Sequence, residues 1–326
     1  MTDNMDINAQ LTTRLETFRR RHAERTLDHN GLRWRYLSGQ GGGGGSGGGS
    51  SSGSSDDGDR AIVILPGAFG YGEIAFMLIE ALEADAGRLV IAPSWPAAGS
   101  LRAMTDGVMA ILDAEGIPRA DVLGGSFGGT IAQSLVRAHP DRVDRLILSH
   151  TLAPAPEYAA RMRRMVWVGR AVPMWLGRKV LRKRVAGLLP DDFEARPFWN
   201  EFLGGFAESM PKAMVVGVLE CMCEFICTTG FAPSDLQDRA HRILILESDN
   251  DPSIKEDERA ALRALYPGAQ VHTFHGTGHA SSVLEPEAYA DVVLGFLDRA
   301  ADSGLSRASD SGLSTATDSR VNSATG

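Results

Sequence analysis

Residues Ala120-Asp-Val-Leu-Gly-Gly-Ser-Phe-Gly-Gly-Thr-Ile-Ala-Gln-Ser-Leu-Val136 read as an apolar strand, a glycine-rich turn and a helix. The strand is short and mostly apolar, as in a parallel sheet covered on both faces. The turn, Gly124-Gly-Ser-Phe-Gly128, has the form G-x-S-x-G. Glycines fit such a turn because strand and helix backbones come too close for side chains. The same rhythm repeats outward. Strand patterns at 61–65, 88–92, 120–124 and 143–149 alternate with helical patterns at 72–85, 100–115 and 127–138. Alternation of this kind implies parallel strands joined by right-handed crossovers, with helices on both faces.

The rhythm breaks at Leu152. Residues 152–238 read as helical throughout, and a strand at 242–246, a helix at 256–265, a strand at 270–274 and a helix at 287–300 resume the α/β pattern. This divides the chain into an α/β core (31–151 and 239–300) interrupted by a helical cap (152–238). Ahead of the core lies a polar arm (1–30) with a helical stretch at 11–25, and residues 31–37 alternate as a half-buried strand. Residues 39–58 are almost all Gly, Ser and Asp, a composition expected to form a flexible loop. A phosphate cradle would need a Lys-Ser/Thr ending or a following helix, and the segment has neither. The tail, 301–326, repeats Asp-Ser-Gly-Leu-Ser and is expected to be disordered.

Of the 326 residues, 43% are hydrophobic and 23% charged, enough for a large core. The net charge of −8 argues against nucleic acid as a partner. No apolar run reaches the roughly 18 residues of a transmembrane helix. The start, MTDNMDINAQ, lacks the apolar region of a secretory signal. With three cysteines that cannot all pair, a reduced cytoplasmic setting is expected.

Ser126 is the candidate nucleophile. The chain offers two decoys for the same motif, Gly44-Gly-Ser-Gly-Gly48 and Gly49-Ser-Ser-Ser-Gly53. Only Ser126 follows an apolar strand and opens a helix, the context the motif requires. A serine hydroxyl needs a base within hydrogen-bond reach and an acid to orient that base. The chain order Ser, acid, His is met by residues just past two late strands. Asp251 is the favoured acid, with Asp249 and then Glu247 as alternatives. His279, flanked by glycines and small residues, is the favoured base over His275 and His272. The oxyanion donors are expected to be the backbone N–H of Phe127 and of Ala68, with Phe69 as the alternative to Ala68.

With these residues in place the chain resembles the α/β-hydrolase superfamily over roughly 31–300. Leu65-Pro-Gly-Ala-Phe-Gly-Tyr-Gly72, Gly124-Gly-Ser-Phe-Gly-Gly129 and Leu265-Tyr-Pro-Gly-Ala269 are similar to the maspardin-like subgroup. The superfamily resemblance implies a mostly parallel sheet with helices on both faces and a helical lid after the strand that follows the turn. It also implies a carboxylesterase-like serine hydrolase. Such an enzyme cleaves a small ester or related acyl compound through an acyl-enzyme, without metal or organic cofactor. C–C bond hydrolysis and cofactor-free perhydrolysis use the same residues. The subgroup resemblance implies a rival, a non-catalytic binding or scaffold protein.

The cap's apolar side chains Met162, Met165, Trp167, Val168, Met174, Trp175 and Leu176 are candidates to line a pocket for an apolar or aromatic acyl group. Residues 161–184 are strongly basic in an acidic chain. A solvated helix face is the expectation there, with an anionic substrate or a membrane surface as alternatives. Cys221, Cys223 and Cys227 do not have a metal-ligand spacing and read as buried free thiols.

Overall fold

The computed structural model describes residues 6–39, 61–84 and 88–310, with side chains up to Asp298. The elements in chain order are Ile7–Arg21 (α1), Glu24–His29 (β1), Leu32–Ser38 (β2), Ala61–Leu65 (β3), Phe76–Ala84 (α2), Leu89–Ser94 (β4), Leu101–Ala114 (α3), Ala120–Gly125 (β5), Phe127–Ala138 (α4) and Val143–Ser149 (β6). Then come Ala159–Ala171 (α5), Met174–Ala186 (α6), Arg196–Ser209 (α7), Lys212–Ile226 (α8), Ile243–Ser248 (β7), Glu256–Leu265 (α9), Gln270–Phe274 (β8), Ser281–Leu284 (α10) and Pro286–Asp310 (α11).

The strands form one sheet in the order β1-β2-β4-β3-β5-β6-β7-β8. β1, β2 and β4 pair antiparallel, and every pairing from β4 through β8 is parallel. Alternation along the strands separates two apolar layers. Ala61, Val63 and Leu65 of β3 and Ile243 and Ile245 of β7 pack on one side, with α3, α4 and α9. Ile62 and Ile64, with Leu244 and Leu246, pack on the other against α1, α2 and α11. Burying each such side chain contributes about 1.5–3 kcal/mol, so a strand with no polar face stays at the sheet centre. This is the α/β-hydrolase fold, mostly parallel, with helices on both faces.

Three sequence expectations change. The first helix stops at Arg21 rather than near Arg25. His22 follows it and stacks on Phe18, with ring centroids 4.0 Å apart. Residues 24–29, expected in the polar arm, form an edge strand instead. Asn30 and Gly31, both at positive φ, close a two-residue hairpin that fixes His29 opposite Leu32. The closing helix continues to Asp310, ten residues into the segment expected to be disordered. The Gly/Ser segment and both decoy motifs lie outside the described residues.

Between β6 and β7 the chain runs through α5 to α8. α8 anchors this insertion to the core. Gly217 lets it sit against Ala98, where a Cβ would meet the carbonyl oxygen. Glu224 accepts from the Leu101 N–H (2.8 Å) and so satisfies a free donor at the start of α3. Among the described residues no helix is long and apolar enough to cross a membrane.

Candidate active site

Ser126 joins β5 to α4 at φ 51° and ψ −116°, a conformation that costs a non-glycine residue about 1–3 kcal/mol. Three hydrogen bonds hold it there. Its N–H donates to Ser149 O (2.8 Å), and its carbonyl accepts from Gly129 N (3.0 Å) and Thr151 Oγ1 (2.8 Å). The motif glycines are not equivalent. A Cβ on Gly124 would meet the Gly128 backbone, and one on Gly128 would overlap the carbonyls of Leu65 and Pro66, whereas Gly125 faces open space.

The loops after β7 and β8 converge on this turn. His279 Nε2 lies 3.0 Å from Ser126 Oγ, and His279 Nδ1 lies 2.7 Å from Asp251 Oδ2. The second Asp251 oxygen accepts from the N–H groups of Ser253 (2.7 Å) and Ile254 (3.1 Å). Burial would push this carboxyl up. The hydrogen bond and charge of His279, with the two N–H donors, outweigh burial and hold it below the usual carboxylate range. The other candidates go elsewhere. Asp249 pairs with His275 at the exposed rim (2.8 Å), Glu247 pairs with Arg263 (2.6 Å), and His272 lies within β8. Asp251, His279 and Ser126 are thus brought into one line, a geometry suited to moving the serine proton to an oriented imidazole.

The turn after β3 stands beside the serine. A Cβ on Gly67 would lie 3.6 Å from that of Ser126, and Ala68 is exposed at the tip. Trp95 braces the turn from below, its Nε1–H donating to Pro66 O (3.1 Å) and its ring meeting Phe127 edge-on at 5.9 Å. The Phe127 N–H opens α4 and so has no acceptor within the helix. The backbone of this turn and the start of α4 therefore flank the serine hydroxyl.

One residue of the site was missed in the sequence. His150 follows β6 at φ 47° and is buried. It stands in a chain of hydrogen bonds from Tyr289 Oη to Ser149 Oγ (2.8 Å), His150 Nδ1 (2.9 Å) and, from His150 Nε2, Ser281 Oγ (2.8 Å). From Ser281 the chain passes to Thr277 Oγ1 (2.6 Å), Ser248 Oγ (3.2 Å) and Asn250 Oδ1 (2.9 Å), which also accepts the Gly278 N–H (2.8 Å). One sense of donation satisfies every hydroxyl if His150 is neutral with its proton on Nε2. Burial and the nearby His279 push the His150 imidazole down to about 4, partly offset by Asp251. A signal for it was present. Ser149-His-Thr151 sits at the carboxyl end of a parallel strand, where open α/β sheets place their sites.

The cap differs from expectation. Trp167 (69% exposed), Trp175 (60%), Val168 and Leu176 face solvent and do not line a pocket. Only Cys221 is buried, where burial pushes its thiol up to about 12, and Cys223 and Cys227 are half-buried.

Residues 62–292 match the model of the Alpha/beta hydrolase family. The chain is 26% identical over 231 residues to the 2-hydroxymuconate semialdehyde hydrolase of Pseudomonas putida, covering 65% of this chain and 78% of that one. It is 24% identical to the sn-1-specific diacylglycerol lipase of Mus musculus, covering 74% and 83%. The crystal structure of the enol-lactonase from Burkholderia xenovorans superposes with a TM-score of 0.63 at 19% identity, over 84% of this chain and all (100%) of that one. The strand order, the strained serine turn and the matched family model agree, and the chain belongs to the alpha/beta hydrolase family.

Proposed function

We propose that the protein is a serine hydrolase that cleaves a small ester or related acyl compound through an acyl-enzyme. The observation that carries this reading is the unbroken line Asp251–His279–Ser126, with contacts of 2.7 and 3.0 Å. In the proposed cycle Ser126 Oγ attacks the acyl carbon while its proton passes to His279 Nε2. Asp251 keeps the His279 Nδ1 proton in place and stabilises the imidazolium. The N–H groups of Phe127 and Ala68 donate hydrogen bonds to the oxyanion of the tetrahedral intermediate. His279 then protonates the leaving alcohol; water attacks the acyl-enzyme with His279 as base, and collapse of the adduct breaks the Ser126 Oγ–acyl bond, releases the acid and returns the proton to Ser126 Oγ.

A fluorophosphonate probe tests the reading. Labelling that disappears in Ser126→Ala supports it. A folded wild-type protein that takes no label returns the chain to the maspardin-like binding reading. Similarity to a 2-hydroxymuconate semialdehyde hydrolase favours a second reading, C–C bond hydrolysis by the same residues. Turnover of 2-hydroxymuconate semialdehyde that far exceeds turnover of simple esters would select it.

A further inference from the structure

Among the described residues, the large exposed apolar side chains are Trp167, Val168, Trp175, Leu176, Val180 and Val271. All but Val271 lie on α5 and α6. Trp167 and Val168 occupy the last turns of α5, and Trp175 and Leu176 the first turn of α6, so the four flank the corner at Val172 and Pro173. No residue of α5 is buried, and Val185 is the buried residue of α6. α5 packs on α8, where Gly169 admits Leu219, and α6 packs on α7. The outer surfaces of both helices are therefore left to solvent.

The same two helices carry Arg161, Arg163, Arg164, Arg170, Arg178, Lys179, Arg182, Lys183 and Arg184, and neither has an acidic residue. All of these basic residues are exposed. Arg170 pairs with Glu220 and Arg182 with Glu208, which ties each helix inward. Lys179 lies over the Trp175 ring at 5.5 Å. The chain as a whole carries −8, so this concentration of positive charge opposes the net field of the protein.

We propose that the α5–α6 corner docks on an anionic phospholipid surface, with Trp167, Val168, Trp175 and Leu176 entering the headgroup boundary and the flanking Arg and Lys side chains meeting lipid phosphates. Tryptophans with aliphatic neighbours, set among cations on the outside of a helix pair, match the chemistry of that boundary. A second copy of the chain fits poorly. A two-fold contact would set the same basic surface against itself. The proposal stands on this surface alone and is independent of the hydrolase reading.

The test uses the intrinsic fluorescence of the full chain. Trp34, Trp95 and Trp199 are buried, so a lipid-induced blue shift reports Trp167 and Trp175. Vesicles of phosphatidylcholine mixed with phosphatidylglycerol should bind the protein and shift its emission, and phosphatidylcholine alone should do neither. Trp167→Ser with Trp175→Ser should abolish the shift and most of the binding. Lys183→Gln with Arg184→Gln should weaken binding about 30-fold, since each Lys or Arg near such a surface contributes about a fivefold factor. Circular dichroism melts matching the parent show that the variants are folded. The proposal is overturned by no binding to the mixed vesicles at low salt, or by binding that the tryptophan substitutions leave intact. Equal binding to duplex DNA, or a dimer that the tryptophan substitutions split without any lipid binding, overturns it as well.

Discussion

The imidazole of His150 stands edge-on to that of His279, with ring centroids 5.7 Å apart and planes at 85°. His150 does not touch Ser126. It reaches the loop that carries His279 through Ser281 and Thr277, and the hydrogen-bond chain ends on the N–H of Gly278, one residue before His279. His150 is thus placed to position the loop of His279, the proposed base.

His150→Ala leaves the hydroxyls of Ser149 and Ser281 without their shared partner in a buried site. Losing such a partner costs about 1–3 kcal/mol. The expected result is a fall in kcat of about tenfold with KM little changed, and partial recovery in His150→Asn. Steady-state kinetics on a soluble ester checks this. A change confined to KM would count against a positioning role.

The same histidine gives stability a pH dependence. Its folded value, about 4, lies below its ordinary value near 6.5, so the unfolded chain binds the extra proton first. Its contribution to stability is complete above about 6.5 and declines as pH falls toward 4, by up to about 3 kcal/mol. Protonation also breaks the donor sense of the chain around Ser149. Asp121, whose carboxyl burial lifts to about 6, titrates nearby with the opposite sign, so the comparison must be made between variants. Urea unfolding of the wild type should lose stability between pH 6.5 and 4 more steeply than that of His150→Asn. Parallel slopes would sink this assignment.

The two rival acids make a clean contrast. Asp251 is buried and bonded to His279, whereas Asp249 bonds to exposed His275. Asp251→Asn is expected to lower kcat by about 10⁴, the order seen when a Ser-His-Asp triad loses its acid. Asp249→Asn should stay within about twofold of the wild type, as most surface changes do. The reverse result reassigns the acid.

Two adjacent glycine positions separate sterics from motif. Gly128→Ala places a methyl on the carbonyl oxygens of Leu65 and Pro66, and Gly125→Ala meets nothing within 4 Å. Thermal melts should show a loss of about 1–3 kcal/mol or more for Gly128→Ala, the range for forced overpacking. Gly125→Ala should melt close to the wild type. Equal losses would mean that backbone freedom, rather than contact, governs the turn.

The parallel core was readable because β3, β5, β6 and β7 have almost no polar face, and continuous apolar runs between helices leave few alternatives. That Ser126, Asp251 and His279 would lie close together was readable from chain order and loop position. β1 was missed because its burial is slight and its residues are polar. Its readable signal was Asn30-Gly31, a hairpin dipeptide. His150 was missed because its role depends on partners in β6, α10 and α11 that no local pattern joins. The outward direction of Trp167 and Trp175 was equally hidden. Periodicity marks an apolar side chain but does not say whether the fold covers it.

Ser149, His150 and Thr151 together hold the backbone of Ser126 and brace the loop of His279, yet they are the last residues before the chain departs into the α5–α8 insertion. This sets a splice boundary for exchange of the insertion. A chimaera joined after Thr151 can take a foreign insertion while keeping this brace. One joined at the end of β6 exchanges His150 and Thr151 along with the insertion, and its loss of turnover would be misread as a change of specificity.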